Sequence, residues 1–318
     1  MTRSTISLPR FGNTFVPEID TTVCPVRYSV VAPMHNEDGN VVALHDDIKR
    51  VMEKLSEPYE IIFVNDASTD GTLGKMHALQ SRDACFHYVH LAANVGENWA
   101  LLAGISKARG EIIITIDGDY QNDPAYIPLL LGELAKGYSV VSGRRRNRAA
   151  ALWSRRLPSL IANGLIRIVS RVDVHDCGCG LKVYRREAVA GKFVPKGFMN
   201  RFSPVALGIK ARQFKEVEII DRQRIAGSSH YGIARIFVVI KDLWVLPFAV
   251  RGADRWLAIF RILLLAAAIA VIATLYWGRI ALALVYAAAT VLTWSNVVNL
   301  RRFIEAQAQP LFQIADYR

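Results

Sequence analysis

Residues 59–72 read YEIIFVNDASTDGT, and residues 111–124 read EIIITIDGDYQNDP. In both stretches, a short run of β-branched and aromatic residues ends in a polar loop that carries carboxylates. Strands that alternate with helical patterns predict a mostly parallel sheet with helices on both faces, which is an α/β fold. The candidate strands are Tyr28–Ala32, Tyr59–Val64, Phe86–His90, Glu111–Ile116 and Tyr138–Ser142.

Three of these strands run into polar loops, namely residues 33–37, 65–72 and 117–124. Ligands of open α/β sheets bind beyond the carboxyl ends of the strands, so we expect the loops to form one site. The sequence has neither a GxGxxG after its first strand nor a GxxxxGK[ST], which disfavours dinucleotide and P-loop sites. Asp117 and Asp119 fit a divalent cation that also holds a diphosphate. The alternative for such a pair is a turn held by side-chain hydrogen bonds.

The composition indicates a large protein with a lipid-facing part. Of its 318 residues 52% are hydrophobic and 21% are charged, which is too apolar for a disordered chain and high for a purely soluble one. The four cysteines form no CxxC pair, so we interpret them as reduced thiols without zinc. A small disulfide-rich protein is excluded.

Basic residues are concentrated between Val140 and Arg186. The chain has a formal net charge of +11, and this segment holds eleven Lys and Arg against two acids, so it alone carries +9. Such a block attracts the phosphate of nucleic acid, anionic lipid or a substrate, and the alternative is a solvated basic face. We expect no nucleic-acid partner, because the sequence has no recognisable nucleic-acid-binding module.

Two apolar runs near the end of the sequence predict membrane helices. Leu257–Trp277 is interrupted only by Arg261, and Ile280–Val298 has no charge. At about 1.5 Å per residue, each approaches the roughly 30 Å of a bilayer core. Because Gly278 and Arg279 alone separate them, the runs should form a hairpin. The core of a soluble bundle is the alternative.

The charges around this hairpin predict its orientation. Five arginines flank its open end and Arg279 alone marks its tip, so the positive-inside rule puts the open end in the cytoplasm. The first twenty residues have no apolar run, and we therefore expect no secretory signal peptide. Tyr231–Phe248 is apolar apart from three charges and fits an amphipathic helix in the head-group zone, with a buried soluble helix as the alternative.

Taken in order, the polar loops resemble glycosyltransferase family 2. The resemblance covers residues 26–231 and rests on Pro33 with Asn36-Glu37, on residues 64–72, on the spacing of small residues over 94–110, and on residues 117–124. It implies a GT-A fold, the nucleotide-sugar-binding type with a mostly parallel sheet. The implied organisation is an N-terminal tail (1–25), a GT-A catalytic domain (26–229), an interfacial amphipathic segment (230–255), a transmembrane hairpin (256–299) and a cytoplasmic C-terminal tail (300–318).

Two later motifs are similar to one group within this family. Gln121 after the Asp pair and the stretch from Arg224 to His230 resemble the polyprenol-phosphate sugar transferases, which include dolichol-phosphate mannose synthases. Residues 176–186 look most like bacterial members that charge undecaprenyl phosphate with a sugar for cell-envelope modification. The resemblance therefore implies a nucleotide-sugar donor, a polyprenyl phosphate acceptor in the inner membrane, and inversion at the transferred sugar.

The resemblance also implies roles for individual residues. The nucleotide sugar is assigned to Pro33, His35, Glu37, Val64, Asp66, Gly118, Arg224 and His230, the metal (Mg²⁺ or Mn²⁺) to Asp117, Asp119 and Gln121, and the acceptor phosphate to Arg144, Arg148 and Arg156. Asp117, Asp119, Arg144 and Arg156 are the expected catalytic residues. His35 stands where Tyr is usual, and His230 stands where Lys is usual. Neutral imidazole at position 230 would lack the permanent charge of Lys.

Elementary chemistry agrees with this assignment. A leaving diphosphate develops negative charge that a metal and cationic side chains stabilise. A phosphate nucleophile is already ionised at neutral pH and needs positioning more than a general base. Two alternatives remain: a processive polysaccharide synthase and a non-catalytic nucleotide-sugar-binding membrane protein. Such synthases typically carry the motif Gln-x-x-Arg-Trp, but this chain has Gly252 at the Gln position before Arg255-Trp256. The sequence leaves the sugar, the nucleotide and a homo-oligomer open.

Overall fold

The computed structural model describes residues 26–146, 172, 174–176, 178–189, 209–222, 248, 252–308 and 312–318. The expected N-terminal tail and nearly all of the expected interfacial segment lie outside these residues. So do four expected site residues, Arg148, Arg156, Arg224 and His230.

Eight strands form one sheet in the order β7-β5-β6-β4-β1-β2-β3-β8. The strands are β1 Tyr28–Met34, β2 Tyr59–Asn65, β3 Phe86–Leu91, β4 Ile112–Thr115, β5 Val140–Arg145, β6 Lys182–Arg185, β7 Phe214–Ile219 and β8 Ile314–Tyr317. The helices are α1 Val41–Lys54, α2 Thr72–Arg82, α3 Glu97–Lys107, α4 Ile127–Leu134, α5 Ala253–Tyr276 and α6 Ile280–Ala308. Short helical turns lie at Pro124–Tyr126, Arg186–Val189 and Ala211–Gln213.

The predicted mostly parallel sheet is confirmed. Strands β4, β1, β2 and β3 are parallel neighbours, and β5 runs parallel to β7. The antiparallel members are β6, which lies between β4 and β5, and β8 at the outer edge of β3. All five candidate strands are present with shifted ends.

Helices cover both faces of the sheet because successive strand residues point to opposite sides. Val31 and Ile62 pack in one buried cluster with α3, whereas Val30 and Ile61 pack in another with α1, α2 and α4. All four side chains are fully buried. Burial on both faces explains why these strands read as continuous apolar runs.

Helices α5 and α6 form the predicted hairpin. Both are long and apolar enough to cross a membrane. Of the most apolar 18 residues of each helix, only 6% in α5 and 11% in α6 are buried inside the protein. A core helix of a soluble bundle would be mostly buried, so this exposure favours the membrane interpretation. Tyr276 and Trp277 at the tip are exposed, as aromatic residues at a membrane interface are.

The base of the hairpin packs against the α/β domain. Leu257 and Phe260 of α5 and Leu300 of α6 are buried in the same cluster as the α3 face of the sheet. Phe248 and Trp256 stack in edge contact beside them, with ring centroids 4.9 Å apart. The membrane-length helices therefore share an apolar core with the domain that carries the polar loops.

The C-terminal residues, expected as a cytoplasmic tail over 300–318, include a strand that joins the sheet. Helix α6 continues to Ala308, and β8 pairs antiparallel with β3. The Tyr88 and Arg318 backbones exchange two hydrogen bonds of 2.9 and 3.2 Å, and the Tyr88 hydroxyl donates to Asp316 at 2.8 Å. Phe312 packs beside Trp99 of α3. The hairpin is thus fixed to the domain at both of its ends.

Removal of β8 tests this attachment. In a chain that ends at residue 311, the backbone amides of Tyr88 in β3 and of Ala92 just after it lose their partners. We expect faster hydrogen exchange over residues 86–92 and a free energy of unfolding lower by about 2 kcal/mol, since each net hydrogen bond contributes about 1 kcal/mol. Arg318→Ala, which keeps the backbone pairing, is the control. Unchanged exchange in β3 after truncation would contradict the attachment.

Candidate active site

The polar loops after β1 and β2 are joined by hydrogen bonds. The Asn36 amide donates to Ser68 Oγ at 3.0 Å, and its side-chain oxygen accepts from the Thr69 amide at 2.8 Å. The Glu37 amide donates to Thr72 Oγ1 at 2.9 Å. Asn36 has a φ of 57°, a left-handed conformation that asparagine tolerates better than most residues. These contacts bring the first two loops together, as the strand order predicts.

Asp66 anchors the start of α3 beneath these loops. Its two carboxylate oxygens accept the backbone amides of Val95 and Gly96, each at 2.8 Å. The side chain is buried, and a carboxylate at a helix N-terminus is stabilised by the helix dipole. Asp66 therefore orders the third loop of this edge, at residues 94–96, in addition to the nucleotide role that its motif implies.

His35 lies exposed over this anchor. Its Nδ1 is 2.8 Å from the carbonyl oxygen of Asp66, so Nδ1 carries the proton and donates it. The Asn94 side-chain nitrogen lies 3.1 Å from both nitrogens of the ring. Because the ring is fixed from two directions and is exposed, it offers a flat surface for a nucleotide base.

The other described residues that were assigned to nucleotide binding differ in how exposed their side chains are. Glu37 is half-buried, and its carboxylate accepts the Asn40 side-chain amide at 2.6 Å. Pro33 is buried in β1. The Val64 side chain is fully buried in the α3-side core. Only the Val64 backbone can therefore reach a ligand at this edge.

The carboxylate pair follows β4 in a tightly constrained loop. A Cβ atom on Gly118 would lie 2.5 Å from the Pro33 carbonyl oxygen, so only glycine lets the loop pass this close to β1. Asp119 Oδ1 accepts the Gln121 amide at 3.1 Å. This is the turn that the alternative interpretation expected.

Asp117 lies in a crowded electrostatic environment. The Gly180 backbone packs directly against its carboxylate. Burial, followed by the negative charges of Glu97 and Asp119, raises the Asp117 pKa, while Lys182 and Arg145 oppose the rise. Lys182 is itself buried, and its ammonium donates to the Cys179 carbonyl oxygen. Crowded carboxylates favour a cation between them, because the cation relieves their repulsion.

The donor chemistry of this loop suits Mg²⁺ or Mn²⁺. Asp117 and Asp119 supply hard oxygen ligands, and Gln121 stands two residues further along. Among the described residues, no three His, Cys, Asp or Glu side chains are grouped as a metal cage. Mg²⁺ is typically held by one or two carboxylates with phosphate oxygens and water completing its shell, so a pair of this kind is sufficient.

The arginines at the end of β5 have different environments. Arg144 is exposed, and no ion pair joins its side chain to another residue in the described part of the chain. The Arg145 side chain is only 9% exposed and donates from Nε and Nη2 to the two Asp176 oxygens at 2.7 and 2.9 Å. Within the described part of the basic block, Arg144 is therefore available to an anion, whereas Arg145 is committed to Asp176.

Several residues around the carboxylate loop were not identified as functional from the sequence. Asp221 and Arg222 follow β7 and contact the loop through Asn122, Gln121 and Asp123. Glu216 accepts the backbone amides of His175 and Asp176 at 2.9 Å. Asp176 belongs to a stretch quoted for the family resemblance, but the other residues carry no recognisable sequence signal.

The fold and the polar loops agree with the family that the comparison with known proteins shows. Residues 29–191 match the family described as Glycosyl transferase family 2. The chain belongs to this family and is a glycosyltransferase, which confirms the family inferred from the motifs.

Named relatives extend the comparison. The dodecaprenyl-phosphate galacturonate synthase of Rhizobium johnstonii is 36% identical over 251 residues, covering 74% of each chain. The undecaprenyl-phosphate 4-deoxy-4-formamido-L-arabinose transferase of Pseudomonas paraeruginosa is 34% identical over 216 residues, which are 68% of this chain and 63% of the relative.

Solved structures support the fold. Glucosyl-3-phosphoglycerate synthase from Mycobacterium tuberculosis, in complex with Mn²⁺, UDP-glucose and phosphoglyceric acid, superimposes with a TM-score of 0.54 at 18% identity. The match covers 71% of this chain and 79% of that one. At this identity, the likeness is one of fold.

Proposed function

We propose that this glycosyltransferase moves a sugar from a nucleotide-sugar donor to the phosphate of a polyprenyl lipid, at the cytoplasmic face of the inner membrane. The observation that carries the proposal is the shared core of the membrane-length hairpin and the α/β domain. A polyprenyl tail stays in the bilayer, so its phosphate is presented at the interface. An enzyme held there by its own helices meets that phosphate directly. The relatives named for dodecaprenyl and undecaprenyl phosphate support this class of acceptor.

The donor is assigned to the loops after β1, β2 and β4. The exposed His35 ring would stack on the base, while Asp66 and Glu37 line the same edge. Asp117, Asp119 and Gln121 would hold Mg²⁺ or Mn²⁺ against the diphosphate. A divalent cation at this position offsets the charge that develops on the leaving diphosphate. Gly118 has no side chain, which lets the loop after β4 pass close to the end of β1.

The acceptor is assigned to the arginines that follow β5. A phosphate monoester has a second pKa of about 6, so at neutral pH it is a nucleophile that needs no general base. Arg144 is exposed and can bind its oxygens through a bidentate fork, and Arg148 and Arg156 complete the site in this proposal. Attack from the side opposite the leaving diphosphate inverts the anomeric centre.

The orientation follows from the charges around the hairpin. Arg255, Arg301 and Arg302 are exposed near its base, and Arg279 alone lies at the tip. The positive-inside rule then places the base and the α/β domain in the cytoplasm, where sugar nucleotides are available. A cysteine introduced beside Asp66 should therefore be protected from a membrane-impermeant label added outside the cell.

The proposal is tested by following the sugar into lipid. Membranes that contain the protein are incubated with a panel of radiolabelled sugar nucleotides and then extracted with organic solvent. One label is expected to become extractable in a form that mild acid releases, as a sugar linked to polyprenyl phosphate. Membranes with the Asp119→Asn protein are the control. Incorporation into a water-soluble polymer, with no lipid product, would contradict the proposed acceptor.

Arg144 gives a sharper test of the acceptor site. Arg144→Lys keeps the charge but loses the bidentate fork, so kcat/KM for the lipid should fall about tenfold or more, while donor binding stays nearly intact. Arg146→Lys is the matched control, because Arg146 is equally exposed two residues further on. Equal small effects at both positions would favour the solvated-face interpretation.

A further inference from the structure

Arg222 makes an unusual set of contacts with the loop that carries the carboxylate pair. Its backbone amide donates to the Gln121 carbonyl oxygen at 2.7 Å. Its guanidinium donates from Nη2 to Asp123 Oδ1, also at 2.7 Å, and lies over the Tyr120 ring with 4.8 Å to the centroid. One residue therefore contacts three successive parts of the loop that begins at Asp117.

The same guanidinium reaches the first helix. Its Nη1 donates to Asp47 Oδ2 at 2.6 Å, and the Tyr120 hydroxyl donates to the same oxygen at 2.5 Å. Burial alone would raise the Asp47 pKa, but hydrogen bonds from Tyr120, Arg222 and Arg50 hold it below its ordinary value. Asp47 is thus an ionised anchor on α1 for both partners.

Tyr120 needs such support because of its backbone. Its φ is 63°, a left-handed conformation that costs a bulky residue about 1 kcal/mol or more. This conformation turns the chain between Asp119 and Gln121, the residues assigned to the cation. The contacts of the Tyr120 ring and hydroxyl favour that turn over a relaxed one. A second link strengthens the arrangement, because Asn122 donates to Asp221 Oδ1 at 3.2 Å.

We propose that Arg222, together with Asp47 and Tyr120, is a brace that positions the carboxylate loop for its cation and the donor diphosphate. Arg222 is a positioning residue in this proposal, since its contacts act through the loop. The inference rests on the proposed function for its ligand, but the brace itself is a property of the described residues. Arg222 also stands two residues before Arg224, so the brace ties the chain leading to that motif to the metal loop.

The brace has a specific requirement for arginine. The two carboxylates of Asp47 and Asp123 are bound by different guanidinium nitrogens, and the planar group also covers the Tyr120 ring. A lysine ammonium can bind one of the carboxylates, but it cannot span both and stack. We therefore expect Arg222→Lys to lie between the wild type and Arg222→Gln in every measurement.

The experiment compares two arginines that share one partner. Arg50 also donates to Asp47, at 2.6 Å, but it is mostly exposed on α1 and has no described contact with the carboxylate loop. Full-length Arg222→Gln and Arg50→Gln proteins in detergent are compared with the wild type by hydrogen exchange over residues 117–126. Binding of Mn²⁺ alone is measured by its paramagnetic resonance signal.

Arg222→Gln is expected to exchange faster over residues 117–126 and to bind Mn²⁺ about tenfold more weakly, because two charge-assisted hydrogen bonds are lost. Its activity should require correspondingly more Mn²⁺ for half-saturation, while kcat at saturating metal falls less than threefold. Arg50→Gln should match the wild type in all of these measurements. Tyr120→Phe, which removes only the hydroxyl bond to Asp47, should show the same changes more weakly and serves if Arg222→Gln does not fold.

Two results would overturn the brace. One is unchanged exchange over residues 117–126 in both Arg222→Gln and Tyr120→Phe, and the other is an Arg50→Gln protein that reproduces the effects of Arg222→Gln. A wild type that binds no Mn²⁺ contradicts the metal assignment in the proposed function, and hydrogen exchange still decides the brace in that case.

Discussion

Asp117→Asn and Asp119→Asn should each reduce sugar transfer by at least about a hundredfold, because a neutral amide binds a divalent cation weakly and the leaving diphosphate loses its counter-charge. The measurement is formation of the labelled lipid at saturating donor. Removal of the metal with a chelator should abolish transfer in the wild type, and added Mg²⁺ or Mn²⁺ should restore it. Persistent transfer in the chelator, without added metal, would contradict the assignment.

A measurement of thermal stability distinguishes a lost metal ligand from a protein that has simply unfolded. Burial and the neighbouring carboxylates raise the Asp117 pKa above its unfolded value, so the ionised group destabilises the fold as the pH rises above the unfolded pKa. At neutral pH most of this penalty for ionising Asp117 is present, and Asp117→Asn removes it because an amide does not ionise in either state. We therefore expect an inactive protein whose thermal midpoint is equal to or above that of the wild type.

Asp38→Asn is a suitable control for the carboxylate substitutions. Asp38 lies on the loop after β1, is partly exposed and pairs with Lys75 at the surface. Its replacement removes one carboxylate from the same edge of the sheet without touching the β4 loop. Near-normal transfer by Asp38→Asn would show that the effect belongs to the assigned ligands, whereas an equal loss would point to a general electrostatic effect.

The central part of the fold could be predicted from the sequence because its signals are local. The buried runs at β1 to β5 are β-branched on both faces and end in recognisable loops, so topology alone placed the loops at one edge. Strands β6 and β8 were missed for the opposite reason. Each has four residues, each mixes charged with apolar side chains, and each is defined by pairing with a distant segment.

The candidate site divides in the same way. Asp117, Asp119 and the glycine between them are visible as a motif, since the spacing itself expresses the chemistry. The brace at Arg222 is not visible in the sequence, because Arg222 and its anchor Asp47 are 175 residues apart. They come into contact only when the fold brings α1 next to the end of β7. The basic block shows the same limit, since neighbouring arginines look alike until the strand turns them to opposite faces.

Removal of the Arg145 guanidinium should be costly for stability. The Arg145 side chain is mostly covered and forms a bidentate pair with the buried Asp176, and the backbone amide of Arg145 donates to Asp176 Oδ2 at 3.2 Å. Arg145→Gln removes the guanidinium from the buried Asp176 carboxylate, and breaking a buried ion pair typically costs about 3–5 kcal/mol. We expect the thermal midpoint to fall by about 6 °C or more, as followed by intrinsic fluorescence in detergent.

A double-mutant cycle distinguishes the pair from its surroundings. Once Arg145 is replaced, Asp176→Asn should cost little, because the guanidinium bound to that carboxylate is already gone. The double variant should therefore be more stable than the sum of the single changes predicts. Arg146→Gln is the control, since Arg146 is exposed beside Arg145. Additive costs, or an Arg146→Gln effect as large as that of Arg145→Gln, would contradict the pairing. The pair lies beside Asp221, whose carboxylate is 3.8 Å from Arg145 Nε, so its loss should also loosen the segment that holds Arg222.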